Sequence, residues 1–474
     1  MENRPQLMSV PPELQTEIVS YLDHASLQAM LRTCKQLYAI TLPWSVRTYK
    51  SKFQPGGGRR AEFTNARDVT TARVQLSQFL TYIAMVKPEL AQEVRTLDVR
   101  ALPYVAEIKS ALNYEDLPFF RQLAATFTVD PDVFVKRLQV GYPLGVLALL
   151  IAACPRIERL CVPSDTHSAV REVLAAAANP RANDEVGCGQ RPLAHLREVY
   201  HHFDWVVRKH RQMFHDTVSF FQLPSLKFYE AMRPPFNGDL DPDIDPGAYF
   251  RSRVPERSSP VEHIILRQAS LSSQMMTNLI QSCRALRSFD FTWCINDRAS
   301  HEAMPRDLMD GILCHASTLE SLHANFDDEW QKRGWAQQPD RITLGTDLRQ
   351  MTALKTLVMS MQALTGMLHS APYRNLMTED EPQMPFGMEG APTLVQCLPD
   401  NLEDLEIHSC WGKILEQAQE LLDVAATGPR FRRLQRVALF FDKEKMETED
   451  FGLSCKSTKT KLEIVFQTRE ERWK

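Results

Sequence analysis

Apolar residues near the start of the chain recur at the spacing of an α-helix. Leu14, Ile18, Tyr21 and Leu22 recur at positions i, i+4, i+7 and i+8, which places them on one stripe of a helix. Pro11 and Pro12 stand just before this stripe, and proline suits the first helical turn because its missing N–H has no partner there. The pattern therefore predicts a helix that begins at these prolines and presents one apolar face.

Two more short helices are predicted before residue 45. Ser26 is the predicted N-cap of the second helix, which carries Leu27 and Leu31. Cys34 begins the apolar face of the third helix, and Pro43 is predicted to end it. Three helices of this length cannot bury all their apolar side chains against one another, because so small a unit is marginally stable alone. The surplus apolar face therefore predicts a binding partner.

The first helix opens with a motif of known type. Val10-Pro11-Pro12-Glu13-Leu14 resembles the LPxEL opening of the F-box, the module that docks substrate receptors onto the Skp-type adaptor of cullin–RING ubiquitin ligases. The sequence departs from that family at His24, where proline is common, and at Leu37, where tryptophan is common. The alternative is an ordinary helical cap on a larger core. The resemblance implies an adaptor-binding surface formed by Val10, Pro11, Leu14, Ile18, Leu22, Leu27, Leu31 and Cys34.

A second apolar pattern repeats along the rest of the chain. An aliphatic or aromatic residue is followed by another three positions later, and often by a third two positions beyond that. From Leu160 onwards the second positions lie about 25 to 48 residues apart. The pattern resembles the LxxLxL core of a leucine-rich repeat, in which a short strand lines one face of a horseshoe. The units begin at Val94, Ile157, Leu196, Leu226, Val261, Leu286, Leu319, Leu354, Leu402 and Leu434.

The segments between these strands add helices to the prediction. Small residues such as Ala316 stand three positions before the first apolar residue of a strand, as a helix packed closely against that strand requires. The predicted fold is therefore α/β, with a three-helix F-box followed by an irregular leucine-rich-repeat solenoid. The predicted segments are 6–50 for the F-box, 51–90 for a linker and helical cap, and 91–474 for the solenoid. The alternative is an ordinary α/β domain with chance matches to the repeat.

Alternation along each predicted strand selects the side chains that face away from the core. Successive strand residues point to opposite faces, so the residues between the apolar positions form a row across the repeats. Aromatic side chains are common interface anchors, and the acidic residues of the row favour a basic or amphipathic protein segment. The row contains no arginine cluster, so a phosphorylated peptide is not favoured there. The predicted substrate-binding residues are Tyr200, Phe228, Glu230, Asp290, His323, Asp404 and Glu406.

Three stretches interrupt the repeat spacing, at 233–260, 327–341 and 368–392. Insertions in solenoids map to loops that often carry recognition, and the alternative is that these are solvated loops. Near residue 460 the spacing changes again, because Leu462 and Ile464 alternate with polar residues. That alternation predicts an edge strand that closes the array of repeats.

Composition narrows the class of protein. The chain has 474 residues, of which 44% are hydrophobic and 24% charged, as in soluble folded proteins. A formal charge of −4 gives no electrostatic case for nucleic acid or an anionic membrane. Ten cysteines without a CxxC pair suit a reducing compartment, and no secretory signal is expected, so the expected location is cytoplasmic, nuclear or both. The most apolar stretch, 142–154, is shorter than the roughly twenty residues of a membrane span and is predicted to be a buried helix.

Candidate chemistry is sparse in the sequence. It contains no nucleophile-elbow, zinc-protease, phosphate-loop or dinucleotide-binding motif in a fitting context. The densest histidine group has irregular spacing and no cysteine beside it, so neither a metal nor a cofactor is predicted. Its members are His201, His202, His210 and His215. No cysteine stands out as an activated nucleophile, so the chain is not predicted to be an enzyme.

The two resemblances together imply a function. They imply the substrate receptor of an SCF-type ubiquitin ligase, which holds a protein substrate and reaches a cullin through the Skp-type adaptor. Such a receptor acts by tethering and needs no catalytic residue of its own. One alternative is an adaptor-bound interaction scaffold outside a cullin ligase. Another is an enzyme on an α/β fold whose first helices are a cap.

Overall fold

The computed structural model describes residues 7, 10–51, 66–99, 112–139, 143–163, 168–178, 191–202, 211–232, 245–269, 271–293, 304–326, 341–366, 392–410, 412, 414–442 and 460–467. These residues belong to two compact units, residues 1–226 and residues 227–474. The boundary between the units falls inside the predicted solenoid, and the segments 6–50, 51–90 and 91–474 remain a prediction. The predicted insertions at 327–341 and 368–392 lie outside the described residues, apart from residues 341 and 392.

Three short helices open the first unit, and the first of them begins where the sequence predicts. They are α1 (Pro12–Ser20), α2 (His24–Met30) and α3 (Lys35–Val46). Pro11 occupies the N-cap of α1 and Pro12 its first turn, where the fixed backbone angle of proline is already helical. The sequence prediction of a helix beginning at these prolines is confirmed.

Two details of the helix ends differ from the sequence prediction. The N-cap of α2 is Asp23 rather than Ser26, because the Asp23 carboxylate accepts a hydrogen bond from the Ser26 N–H at 2.7 Å. Pro43 lies inside α3 and does not end it, since the helix continues to Val46. Proline in a helix interior costs about 3 kcal/mol, and Val46, in the last turn beyond it, is buried.

Four parallel strands follow in the first unit. They are β1 (Thr48–Lys50), β2 (Thr96–Asp98), β3 (Arg159–Pro163) and β4 (Glu198–His202). The sequence pattern does not predict β1, which places a strand of the sheet within the range predicted as F-box. The helices of this part are α4 (Ala66–Thr81), α5 (Leu117–Ala124), α6 (Pro131–Gln139), α7 (Pro143–Ala153), α8 (Ser168–Ala178) and α9 (Arg211–Phe221), with a π-helical turn at Tyr82–Val86 and 3₁₀ turns at Pro88–Gln92 and Tyr114–Asp116.

Helix α7 contains the most apolar stretch of the sequence. Its residues from Leu144 to Ile151 are all buried, so it is the buried helix that the sequence predicts. Within the part of the chain that the structure describes, no helix combines the length and the apolar character needed to cross a membrane.

Eight parallel strands form the sheet of the second unit. Each strand pairs with the next one along the chain, which is the connectivity of a repeat array and confirms the predicted α/β repeat fold. The strands are β5 (Phe228–Met232), β6 (His263–Ala269), β7 (Ser288–Trp293), β8 (Ser321–Asn325), β9 (Thr356–Ser360), β10 (Asp404–Cys410), β11 (Arg436–Asp442) and β12 (Lys461–Gln467). The helices are α10 (Pro246–Arg253), α11 (Ser273–Gln281), α12 (Pro305–Ile312), α13 (Met361–Thr365), α14 (Leu394–Cys397) and α15 (Ile414–Thr427), with 3₁₀ turns at Leu313–His315 and Thr346–Gln350.

In each unit the predicted repeat positions form the core. Every residue assigned to the LxxLxL pattern in the ten predicted repeats is at most 3% exposed. Strands β5, β7 and β8 alternate between half-exposed and buried residues, as their period of two predicts. The predicted last strand is confirmed as β12, which pairs in parallel with β11 and leaves Leu462 and Ile464 half-exposed.

The interruption predicted as a loop at 233–260 contains helix α10. The carboxylate of Asp245 caps this helix by accepting two backbone N–H groups of its first turn. Gly247 lets α10 approach α11 closely, because a Cβ there would lie 2.5 Å from Gln274 Cγ. Asn278 Nδ2 then donates to the Gly247 carbonyl at 2.8 Å. This part of the insertion is therefore packed onto the repeats.

Candidate functional site

Helix α1 exposes a line of apolar side chains, which we call the apolar strip (Leu14, Ile18 and Tyr21). Their exposed fractions are 48%, 42% and 82%. The strip follows the helical period, because its members stand four and three residues apart. The opposite face of α1 buries Gln15 and Val19. One face of this helix thus supports the bundle while the other is free to bind.

The structure separates the predicted adaptor-binding residues by exposure. Leu27 is 7% exposed and packs inside the bundle, so it supports the surface from beneath and cannot contribute exposed area to it. Tyr21 is missing from the predicted set, although its position seven residues after Leu14 places it on the same stripe; Tyr38 of α3, also missing, is 41% exposed. Among the other predicted residues, Pro11, Leu14, Ile18 and Cys34 are exposed, and Val10, Leu22 and Leu31 are half-buried.

Tyr200, a predicted aromatic anchor, lies in β4 of the first unit and is held by its neighbours. Arg159 Nη2 donates to the Tyr200 Oη at 2.5 Å, and its guanidinium carbon lies 4.3 Å from the ring centroid. The Tyr200 hydroxyl donates in turn to Glu198 Oε2 at 3.2 Å. Burial and the Glu198 carboxylate raise the pKa of Tyr200. The hydroxyl therefore stays protonated, and the ring keeps one orientation.

The other six predicted substrate-binding residues lie in the second unit, in two rows that we call the outer strand face. The strand register aligns each residue with its counterpart on the next strand, and both rows alternate with the buried core positions, as predicted. The first row is Phe228, His263, Ser288, Ser321, Thr356, Asp404, Arg436 and Lys461. The second row is Glu230, Ile265, Asp290, His323, Val358, Glu406, Ala438 and Glu463.

Two acidic residues of the second row contact basic side chains. Glu230 Oε1 lies 3.4 Å from Arg267 Nε, and Asp290 Oδ1 lies 3.3 Å from His323 Nδ1. Both carboxylates are partly shielded, since the side chains of Glu230 and Asp290 are less than one-fifth exposed. Glu230 is therefore paired with a permanent cation, whereas the His323 imidazole offers Asp290 an ion pair only in its protonated form.

Arg436 lies among the acidic residues at one end of the rows and pairs with three of them. The sequence pattern assigns it no role. Its Nη1 lies 3.1 Å from Asp404 Oδ1 and 2.5 Å from Glu406 Oε1, and its Nε lies 2.9 Å from Glu463 Oε2. His408 and Arg436 lower the pKa of Glu406 to about 2, so this carboxylate is ionised and paired. Arg436 pairs with three carboxylates, so it lowers the negative charge of this end without cancelling it, and the expected preference for a basic or amphipathic partner stays a prediction.

Aromatic rings stand near both ends of the outer strand face. Phe228 and His263 belong to its first row, and His408 and Phe440 lie two residues beyond its second row. The rings of Phe228 and His263 have centroids 6.5 Å apart, on β5 and β6. The rings of His408 and Phe440 stack on β10 and β11, with centroids 4.4 Å apart and planes only 4° from parallel. All four residues are half-exposed. The face therefore offers apolar contact at its two ends and compensated charge and hydroxyl groups between them.

Among the described residues the candidate metal ligands are scattered, and most of the thiols are buried. In the described ranges, no group of three or more histidine, cysteine or acidic side chains is placed to hold a metal ion. Burial raises the pKa of both Cys283 and Cys397 to about 12, so these thiols stay protonated and are poor nucleophiles. Of the predicted histidine group, His201 and His202 lie in β4, His215 lies in α9, and His210 is outside the described residues.

Two family models match the chain. A model of a leucine-rich repeat domain matches residues 83–384, and a model of an F-box domain matches residues 7–42. The first match includes eight of the ten predicted repeats, and the second contains the whole apolar strip. A comparison with curated protein sequences finds no match.

Proposed function

We propose that this chain, which belongs to the leucine-rich repeat family over residues 83–384 and carries an F-box domain at residues 7–42, is the substrate-recognition subunit of an SCF-type ubiquitin ligase. In this role the F-box binds a Skp-type adaptor and, through it, a cullin. The repeats hold a protein substrate. The mechanism is proximity, because tethering raises the effective concentration of the substrate near a ubiquitin-conjugating enzyme. This mechanism requires no catalytic residue in the chain.

The observation that carries the proposal is the apolar strip. Leu14, Ile18 and Tyr21 are large, apolar and exposed within the F-box match. Exposed apolar surface that is continuous along one helix face marks an interaction site. Removing such surface from water contributes about 25 cal/mol per Å², and a central anchor of an interface commonly accounts for about 2 kcal/mol or more. The strip can therefore supply much of the adaptor affinity.

The outer strand face supports the other half of the proposal. Arg436 and Arg267 pair with four of its acidic residues and leave the face net negative, so an amphipathic substrate segment that carries basic residues suits it. Apolar side chains of the substrate would meet Phe228 at one end and Phe440 at the other. Hydroxyl groups such as that of Ser321 would take polar contacts between them.

The test is capture of adaptor and cullin by the full-length chain. Replacing Leu14 and Ile18 by alanine should weaken adaptor binding by at least roughly thirtyfold for each anchor worth about 2 kcal/mol. Val129 and Val133 are exposed apolar residues elsewhere in the first unit, so the double alanine variant of these two is a matched control and should bind normally. Adaptor affinity at the wild-type level in the strip variant would refute docking through this face.

The same capture decides between a ligase subunit and a scaffold. Recovery of adaptor together with cullin supports the ligase subunit. Recovery of adaptor without cullin supports the alternative, an interaction scaffold that uses the same F-box surface. If neither adaptor nor cullin is recovered, while the wild-type chain and the Val129/Val133 control variant are both folded, both functions are contradicted.

A further inference from the structure

A cavity of about 270 Å³ opens on the second unit where its strands begin. It arises from one position of the repeat, the residue just before the first apolar residue of each strand. That position is small in two repeats, as Ala285 and Ala353, and larger in two later ones, as Asn401 and Arg433. The small side chains leave a space that the larger ones border. At about 30 Å³ for each water, the volume holds roughly nine waters, so a compact ligand fits.

Of the four charged residues that line this cavity, three stand one residue before a strand. They are Arg287 before β7, Glu320 before β8 and Lys355 before β9. Glu320 uses both carboxylate oxygens, accepting from Arg287 Nη1 at 2.9 Å and from Lys355 Nζ at 2.6 Å. Lys355 and Arg287 lower the pKa of Glu320. The carboxylate is therefore ionised, and it holds the two cations beside the cavity. Arg287 Nε also lies 3.5 Å from Glu262 Oε2, a carboxylate that Lys227 pairs with as well.

Arg433 adds a third positive charge, and it has no carboxylate partner within the described residues. Its neighbour Arg430 differs, because Arg430 Nε donates to Asp400 Oδ1 at 2.6 Å. With three cations and one carboxylate among the lining residues, the formal charge of the lining is +3 − 1 = +2. The Ser317 hydroxyl and the Asn401 amide are neutral groups in the same lining. The cavity thus combines net positive charge with hydrogen-bond donors.

We propose that this cavity binds a compact oxyanion of the phosphate class. Guanidinium groups recognise phosphate oxygens with pairs of N–H donors, and a lysine ammonium acts as a point charge on the same group. A phosphate group offers several acceptor oxygens and close to two negative charges, which matches the charge of the lining. The site shares no residue with the apolar strip or the outer strand face, so the proposal goes beyond the proposed function.

The test is isothermal titration of the full-length chain with pyrophosphate and, separately, with free phosphoserine in a chloride buffer. Arg433→Ala should weaken anion binding by about tenfold or more, the worth of one charge-assisted hydrogen bond. Arg432→Ala removes the same charge from an exposed neighbour that does not line the cavity, and it should change binding by less than about twofold. Circular dichroism spectra that match the wild type show that both variants fold, so a loss of binding then reports on the site.

The two ligands distinguish the source of the anion. Tighter binding of phosphoserine assigns the cavity to a phosphorylated side chain, and tighter binding of pyrophosphate assigns it to a free phosphate compound. Absence of binding by the wild-type chain at millimolar ligand overturns the proposal. Equal loss in Arg433→Ala and Arg432→Ala also overturns it, because the attraction would then be general surface electrostatics.

Discussion

Replacing Asp307 by alanine should destabilise the second unit far more than the loss of a surface ion pair. The buried Asp307 carboxylate accepts hydrogen bonds from Arg341, from Ser273 Oγ at 2.8 Å and from the Met304 N–H at 2.7 Å. It thereby joins α11, the start of α12 and the chain at residue 341. Removing one partner of a buried pair costs about 3–5 kcal/mol. Because Arg341 is one-third exposed and can turn to water, we expect about 2–4 kcal/mol here.

The magnitude translates into a measurable melting shift. For a unit of 248 residues, from 227 to 474, each kcal/mol lowers Tm by about 2–4 °C, so Asp307→Ala should lower it by about 4–16 °C. Urea unfolding measures the free energy directly. Asp310 lies on the same helix and pairs with Arg306 at 3.4 Å on the surface, so Asp310→Ala is the control and should cost less than about 1 kcal/mol. Equal stability of the two variants would refute the assignment of Asp307 as a buried link.

Two further perturbations test packing in the same unit. Burial lowers the pKa of His315, whose Nδ1 accepts from the Leu286 N–H at 3.4 Å and whose Nε2 donates to the Ile280 carbonyl at 3.0 Å. As pH falls, the unfolded chain binds a proton at this histidine before the folded chain does. The contribution of neutral His315 to the free energy of unfolding is therefore complete above a pH of about 6.5 and is lost as pH falls from there through the lower folded pKa. Urea unfolding at several pH values should show that this free energy falls less steeply in His315→Gln than in the wild type, and an equally steep fall would contradict this. Gly247→Ala should cost about 1–3 kcal/mol because the new Cβ would lie 2.5 Å from Gln274 Cγ. Thermal unfolding should show that adding Gln274→Ala recovers most of the loss, and no recovery would mean that another contact is responsible.

The sequence predicts best those elements whose signal is local and repeated. The LxxLxL positions recur with polar residues between them, so burial and strand direction follow from the period of two. Helix α10 carries a local start signal in Asp245 and Pro246, but the Pro, Asp and Arg content of the insertion outweighs it and favours a loop. Strand β1 has three residues and exists through its pairing with β2. No local pattern can predict such a strand, because its partner lies 48 residues further along, at Thr96 opposite Thr48.

The same distinction applies to the candidate sites. The helical period places Leu14, Ile18 and Tyr21 on one stripe of α1, and all three side chains are exposed. The pairing of Arg436 depends on which strand residues lie opposite one another. Its partners Asp404, Glu406 and Glu463 are 27 to 32 residues away in the sequence. Alternation identifies the row in which these residues lie, but the strand register decides which charges meet.

Side chains that lack a partner within the chain are those whose contacts with a binding partner lower the free energy most. On the outer strand face a partner must exchange existing ion pairs and hydrogen bonds for new ones, so each polar contact yields a small net gain and contributes mainly to specificity. The apolar strip requires no such exchange, because covering Leu14, Ile18 and Tyr21 only releases water. Binding affinity is therefore expected to concentrate on the apolar strip, while contacts on the outer strand face contribute mainly specificity.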